Sequence, residues 1–219
     1  MRTTQALRGC SIAAVTLIEL LVALAVIAVL SSLLGVSSSQ AKTKMREAQC
    51  LSNLHQIALG MMNYAASHQG RLPIEEVLRS GSPFDGWLAL RESLATPSTF
   101  HCPADRRFTP ASRFDDLTEA DISYTINIQS RGDCPTMLLS TDGYLSDGCF
   151  LAESLEDAHW ETKLSLAHGV SRGNGLFVDG SARPLNGPRL RQALEETLRV
   201  ADSPYVEFLL PGERPFASE

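Results

Sequence analysis

Apolar positions cluster at one end of the chain. From Ile12 to Val36 the residues run IAAVTLIELLVALAVIAVLSSLLGV, interrupted only by Thr16, Glu19, Ser31 and Ser32. About 20 apolar residues cross a bilayer as a helix, so this run predicts a membrane-spanning helix. Past Val36 there is no proline until Pro73, and Leu51, Leu54, Ala58, Met61 and Ala65 return at helical spacing. The helix is therefore expected to continue out of the membrane and to stop near His68-Gln69-Gly70, where glycine is a helix-ending residue and Pro73 follows. At 1.5 Å per residue, Val15 to His68 would be roughly 80 Å long. The Leu51 to Ala65 stripe is expected to pack on a sheet of the same chain.

Beyond Gly70 the pattern turns mixed. Gly86 to Ala95 and Pro188 to Ala201 have helical spacing, the latter with Leu190, Leu194, Leu198 and Ala201 on one side. Ile122 to Ile128 and Thr136 to Ser140 read as strands. Leu176 to Arg183 reads as a hairpin, its Asp179-Gly180 pair predicting a type I′ turn. The expected fold class is α+β, a long N-terminal helix with a membrane-spanning first half packed against a small antiparallel sheet. No repeat or low-complexity linker divides the remainder.

Charge sharpens this division. The 219 residues carry a net charge of -6, yet only Glu19 and Glu47 of the 25 acids fall within the first 70 residues. With a pI near 5.4, a basic nucleic-acid-binding surface is not expected. Arg2 and Arg8 precede the apolar run with no acid beside them, which places the N-terminus in the cytoplasm and the acidic body outside. Lys42, Lys44 and Arg46 beyond the run pull the other way. A plain signal peptide cut after Ser39-Gln40-Ala41 is a competing reading. Against it stands Glu19, a carboxylate inside the apolar run that is costly in lipid unless it finds a partner.

Val15-Thr16-Leu17-Ile18-Glu19-Leu20-Leu21-Val22 resembles the signature of type IV prepilins and type II secretion pseudopilins, the prepilin-type N-terminal cleavage and methylation family. The resemblance implies that a prepilin peptidase cuts between Ala14 and Val15 and that the new amine of Val15 is methylated. The family usually has Gly and Phe where this chain has Ala14 and Val15. It further implies that Glu19 faces the N-terminal amine of a neighbouring subunit in a filament, where a paired charge in low dielectric replaces a lone one. Cys50-Leu51-Ser52-Asn53-Leu54-His55-Gln56-Ile57, Phe100-His101-Cys102-Pro103 and Ser123-Tyr124-Thr125-Ile126-Asn127 resemble one pilin-like branch with a C-terminal His, nine residues, Asp-Gly domain. Here His168 and Asp179-Gly180 are the matching residues, separated by ten residues instead of nine. The role of that motif does not follow from its chemistry.

Cleavage before Val15 removes Cys10 and leaves Cys50, Cys102, Cys134 and Cys149, which allow two disulfides in three connectivities. The favoured pairing ties Cys50 to Cys102 and Cys134 to Cys149; four buried thiols are the alternative. His101, Cys102, Cys134, His159 and His168 are zinc-ligand types without the close paired spacing of zinc modules, so no metal is expected. Asp142-Gly143, Asp147-Gly148 and Asp179-Gly180 could hold Ca²⁺, but they lack a calcium loop's alternating carboxylates, and Asp-Gly is first a turn signal. No nucleophile elbow, phosphate loop or metalloprotease motif occurs, and nothing orders His168, Asp179 and a nearby serine into a hydrolytic set. No catalytic residues and no cofactor are expected.

These readings converge on a leader at 1–14, a transmembrane and extended helix at 15–70, and an extracytoplasmic head at 71–219. The expected function is a structural subunit of a type IV pilus or type II secretion-like pseudopilus. Its expected location is the bacterial inner membrane, single-pass, with the N-terminus cytoplasmic and the head in the periplasm. Its partners would be the prepilin peptidase, other pilin or pseudopilin subunits and the membrane, with no nucleic acid. The alternative is a membrane-anchored extracytoplasmic binding module or enzyme that uses the helix only as an anchor.

Overall fold

A computed structural model describes residues 16–105, 109–142, 145, 148–152, 155–160 and 172–213, the side chains of 32–39 excepted. Helix α1 runs Leu17–Ser67. Its N-terminal end is closed by a capping box: Thr16 donates from N and Oγ1 to Glu19 Oε2 at 3.1 and 3.0 Å, and Glu19 N donates to Thr16 Oγ1 at 3.3 Å. At the other end Gln69 and Gly70 take the left-handed conformation, at φ 61° and 80°, which stops the helix where the glycine predicted. Two compact units divide the chain at Lys42/Thr43.

In the first unit the apolar side chains from Leu17 to Leu30 are exposed around the helix, between 52% for Val26 and 77% for Leu17. Among the described residues no helix is long and apolar enough to cross a membrane. The described apolar stretch, Leu17 to Ser31, is only part of the predicted Ile12 to Val36 span. Ala14 and Val15 lie outside the described residues.

The second unit is α+β. After α1 come α2 (Ile74–Ser80) and α3 (Pro83–Leu88), then 3-10 turns at Pro97–Phe100, Phe114–Asp116 and Glu119–Asp121. Strands β1 (Ile126–Asn127), β2 (Leu138–Thr141), β3 (Cys149–Leu151), β4 (Arg172–Phe177) and β5 (Ala182–Asn186) precede α4 (Gly187–Ala201) and β6 (Tyr205–Leu209). They form two antiparallel sheets, β1-β6-β3 and β2-β4-β5. An antiparallel bridge between Tyr124 and Asp142, with Thr125 N donating to Thr141 O at 2.9 Å, links the approach to β1 with the end of β2. The long predicted strand over 122–128 is therefore mostly irregular, and β6, α2 and β3 were not anticipated.

Two apolar clusters hold the unit together. In one, Cys50, Leu54, Ile57, Ala58 and Met61 of α1 pack with Val77, Trp87, Leu90, Phe100, Tyr124 and Ile126. The helix thus shares its core with α2, α3 and the loops after them as well as with the sheets. In the other, Leu190, Leu194 and Leu198 of α4 meet Trp160, Phe177 and Phe208. Helix α4 begins where predicted, its Asn186 side chain capping Arg189 N at 3.2 Å. Helix α3 starts before Gly86 and ends at Leu88, so the predicted 86–95 helix is shorter and earlier, with Leu90 and Leu94 in turns.

The predicted hairpin is present, but its turn is not type I′. Val178, Asp179 and Gly180 form a three-residue loop, with Gly180 N donating to Phe177 O and Phe177 N to Ser181 O, both at 2.9 Å. Within it only Gly180 has a positive φ, 81°, whereas a type I′ turn needs two such residues. Asp179 instead stabilises the loop through Oδ1, accepting from Ser181 N at 2.8 Å and Oγ at 2.6 Å.

Candidate functional site

Two groups of residues have unusual surroundings, one in each unit. In the first unit Glu19 is the sole acid on an exposed apolar helix surface. The capping box holds its carboxylate toward the start of α1, which is the end that cleavage before Val15 would expose as an amine. The carboxylate therefore has a local structural role there.

In the second unit the chain brings together residues far apart in sequence. Cys50 lies on the buried face of α1, Cys102 follows the 3-10 turn at Pro97–Phe100, and Asp142 follows β2. Their relative exposures are 0%, 2% and 1%. Cys50 Sγ stands 2.8 Å from Cys102 Sγ and 3.0 Å from Asp142 Oδ2, with Tyr124 Oη at 3.4 Å. These three are the one cluster of metal-ligand types found among the described residues. Asp142 is fixed from β4: Asn174 donates to it from both N and Nδ2, while Asp142 N donates to Asn174 O at 3.0 Å. The other side-chain atom of Asn174, Oδ1, has no hydrogen bond among the described residues.

Burial dominates the electrostatics of the cluster. It pushes the Cys50 thiol well above its ordinary pKa, helped by Cys102 and the Asp142 carboxylate. The same burial, with the sulfurs and Asp142 nearby, pushes Tyr124 up as well. Both groups stay protonated in the fold, and Cys50 is a hydrogen-bond donor to Asp142.

The other predicted positions are dispersed. No disulfide joins any of the four cysteines in the structure. Cys50 and Cys102, the first expected pair, stand side by side without a bond, and Cys134 and Cys149, the second, are not joined either. Cys134 donates to Asp133 Oδ1 at 3.4 Å in a turn held by the Arg131–Asp133 ion pair, whereas Cys149 lies on β3 opposite Glu207 of β6. Burial raises both thiols, with Asp133 and Glu207 respectively adding to it. Among the described residues the zinc-type side chains do not converge: His101 faces Asp105 O at 3.1 Å, and His159 faces Asp157 O at 2.6 Å. Among the calcium candidates, Asp142 belongs to the cysteine cluster, and Asp179 holds its own turn and an ion pair with Arg183 at 3.7 Å. Asp147 and Gly143 lie outside the described residues, as does His168, so the His168 to Asp179 relation is not described.

Gly180 does have a visible role. A Cβ there would come within 2.6 Å of Met62 Cε, and Ala58 Cβ is 3.9 Å away, so the turn sits against α1 at a residue whose φ already favours glycine. The Asp-Gly motif thus shapes the contact of the β4-β5 hairpin with the helix. Sequence reasoning paired Cys50 with Cys102 but missed Asp142 beside them, because nothing in local spacing joins position 142 to either cysteine. The Thr16-x-x-Glu19 capping box, by contrast, was present as a local motif.

No curated protein and no solved structure matches the chain. Residues 39–183 match the profile of SBP_bac_10, described as a protein of unknown function (DUF1559). That segment includes Cys50, Cys102, Asp142 and Asp179-Gly180, and as it covers more than half of the sequence, the chain belongs to this family.

Proposed function

We propose that the chain is a pilin-type structural subunit that assembles through α1 and catalyses nothing itself. The observation that carries this reading is the first half of that helix. It shows apolar side chains all round, with exposures above 50% from Leu17 to Leu30, and bears a single carboxylate near its start. A helix apolar on every side is stable in lipid or in the core of a bundle, and seldom in water. The remainder of α1 docks by its other residues in an acidic head, so one element joins an assembly segment to a folded body.

On this reading the helix spans the inner membrane with its start in the cytoplasm and its head in the periplasm, before extraction into a filament. Prepilin peptidase cuts before Val15, and the partners are copies or relatives of this subunit. Apolar packing supplies most of the contact, while Glu19 sets register against a neighbour's amine. The head is proposed to need no cofactor.

The test begins with coexpression of the chain and a prepilin peptidase, followed by mass spectrometry of the mature N-terminus. Methylated Val15 is expected; an intact Met1 would leave only an anchor, and a start at Lys42 would mean ordinary secretion. Two variants then separate the roles of Glu19. Glu19→Gln keeps a capping-box acceptor but removes the charge, whereas Glu19→Ala removes both. Both are expected to insert and to fail in filament incorporation. Normal incorporation of Glu19→Gln would show that the cap, not the charge, is what matters.

A further inference from the structure

We propose that Cys50 and Cys102 close into a disulfide that staples α1 to the segment after the 3-10 turn at Pro97–Phe100, and that burial beneath α1 then seals the bond. The geometry distinguishes this pair from the other two cysteines of the head. Their sulfurs stand 2.8 Å apart, inside ordinary van der Waals contact, and both side chains are almost wholly buried. Cys134 and Cys149 instead face carboxylate-bearing neighbours on separate elements and remain thiols.

The spacing also decides against a metal ion at the cluster. Two thiolates on one tetrahedral zinc, each about 2.3 Å from it, would stand roughly 3.7 Å apart. Here the sulfurs are closer than that, and Cys50 Sγ lies at hydrogen-bond distance from Asp142 as well. A disulfide needs the sulfurs to approach further, whereas an ion needs them to separate.

The chemistry takes two exchanges with an external disulfide oxidant, written R–S–S–R. Cys102 displaces R–S–H and becomes a mixed disulfide. The Cys50 sulfur then attacks Cys102 Sγ, the bond to R breaks, and the Cys50 proton goes to the departing thiolate. The two thiols are oxidised and one R–S–S–R is reduced to two R–S–H. A mixed disulfide cannot be buried, so both exchanges precede final docking of α1. Afterwards Asp142 loses the Cys50 donor and keeps its two bonds from Asn174.

This order has an observable signature. If the chain folds with the pair reduced, the Cys50 thiol is held protonated and both sulfurs are buried out of reach, and thiolate exchange is suppressed. In the cell the bond depends on the export proposed above, because only there is a disulfide oxidant at hand. The experiment therefore uses the full five-cysteine chain refolded in detergent with oxidised and reduced glutathione, which does not depend on localisation.

Alkylation with N-ethylmaleimide in guanidinium should then yield three adducts instead of five, and a non-reducing peptide map should join the Cys50 and Cys102 peptides. Glutathione added after folding under reductant should oxidise the pair many-fold more slowly. Reductant should lower the urea midpoint of the wild-type chain and leave that of Cys50→Ala/Cys102→Ala unchanged. Five adducts after oxidative folding, a bond between any other pair, or one equivalent of added zinc retained with both thiols intact would each overturn the proposal. A normal bond in a chain that is never cut before Val15 would instead count against the pilin reading alone.

Discussion

Truncating Ile57 tests which face of α1 enters the head. Its side chain is fully buried, in the cluster that includes Trp87 and Tyr124. Ile57→Ala removes three carbon groups, about 2.4 kcal/mol of transfer free energy at roughly 0.8 per group. The cavity left behind brings the total to about 3–4 kcal/mol. Leu59 is 61% exposed, and its truncation should fall within about 0.5 kcal/mol. Leu51, half-buried, should cost about 1–2 kcal/mol on the same reasoning. In a chain of this size 1 kcal/mol moves the midpoint by about 2–4 °C, so Ile57→Ala should lower Tm by about 10 °C. Near-ultraviolet circular dichroism of the full chain in detergent reports this directly, because Trp87 shares the cluster. Equal losses from Leu51→Ala and Ile57→Ala would show that the docked face is turned toward Leu51 and that the burial of Ile57 is not as described.

Two further outcomes follow from the structure. Gly180→Ala should cost about 1–2 kcal/mol from its left-handed backbone, with Met62 having to move as well; a urea midpoint unchanged by this substitution would remove the hairpin's contact from the account. Alkaline pH should separate the oxidised and reduced chains. Burial, then Cys102 and Asp142, hold the Cys50 thiol above its ordinary range, so the folded reduced chain keeps a proton that the unfolded chain releases above about pH 8.5. That stability is complete below the unfolded pKa and is lost as pH rises beyond it. Cys134 and Cys149 are also raised and act in both forms, so the difference between urea midpoints at pH 7 and 9.5 isolates the cluster. Equal pH slopes for the two forms would refute the role given to Cys50.

Local signals were legible where local chemistry decides the outcome. Gly70 ends α1, Pro188 stands in the first turn of α4, and Asp179-Gly180 makes a turn. The type of that turn was not legible, because one positive φ or two is settled by how the hairpin meets α1 at Met62. The stripe on α1 was read too narrowly for a similar reason: Leu54, Ala58 and Met61 are buried as expected, with Leu51 and Ala65 half-buried at its edge. Cys50, Asn53, Gly60 and Tyr64 read as small or polar, yet they are buried: Asn53 donates to His101 O at 2.9 Å, and Gly60 admits Leu94. A pattern that counts only apolar residues cannot include positions buried by a hydrogen bond or by lack of a side chain.

The same distinction explains why the two candidate sites differ in visibility. Glu19 could be singled out from sequence because its surroundings are its own neighbours, fourteen helical residues of near-uniform character in which one charge stands alone. The cysteine cluster depends on three separate elements arriving at one point, and Asp142 reaches it only because the Tyr124 bridge and the Asn174 bonds orient the end of β2. A disulfide there would fix the docked half of α1 to the head while leaving the apolar half to the partners proposed for it. Force or thermal motion on the exposed half would then be transmitted to a covalent link at Cys50 rather than to apolar contacts alone. On this argument the staple matters most to a subunit whose helix is pulled, and it connects the chemistry of the second unit to the assembly role proposed for the first.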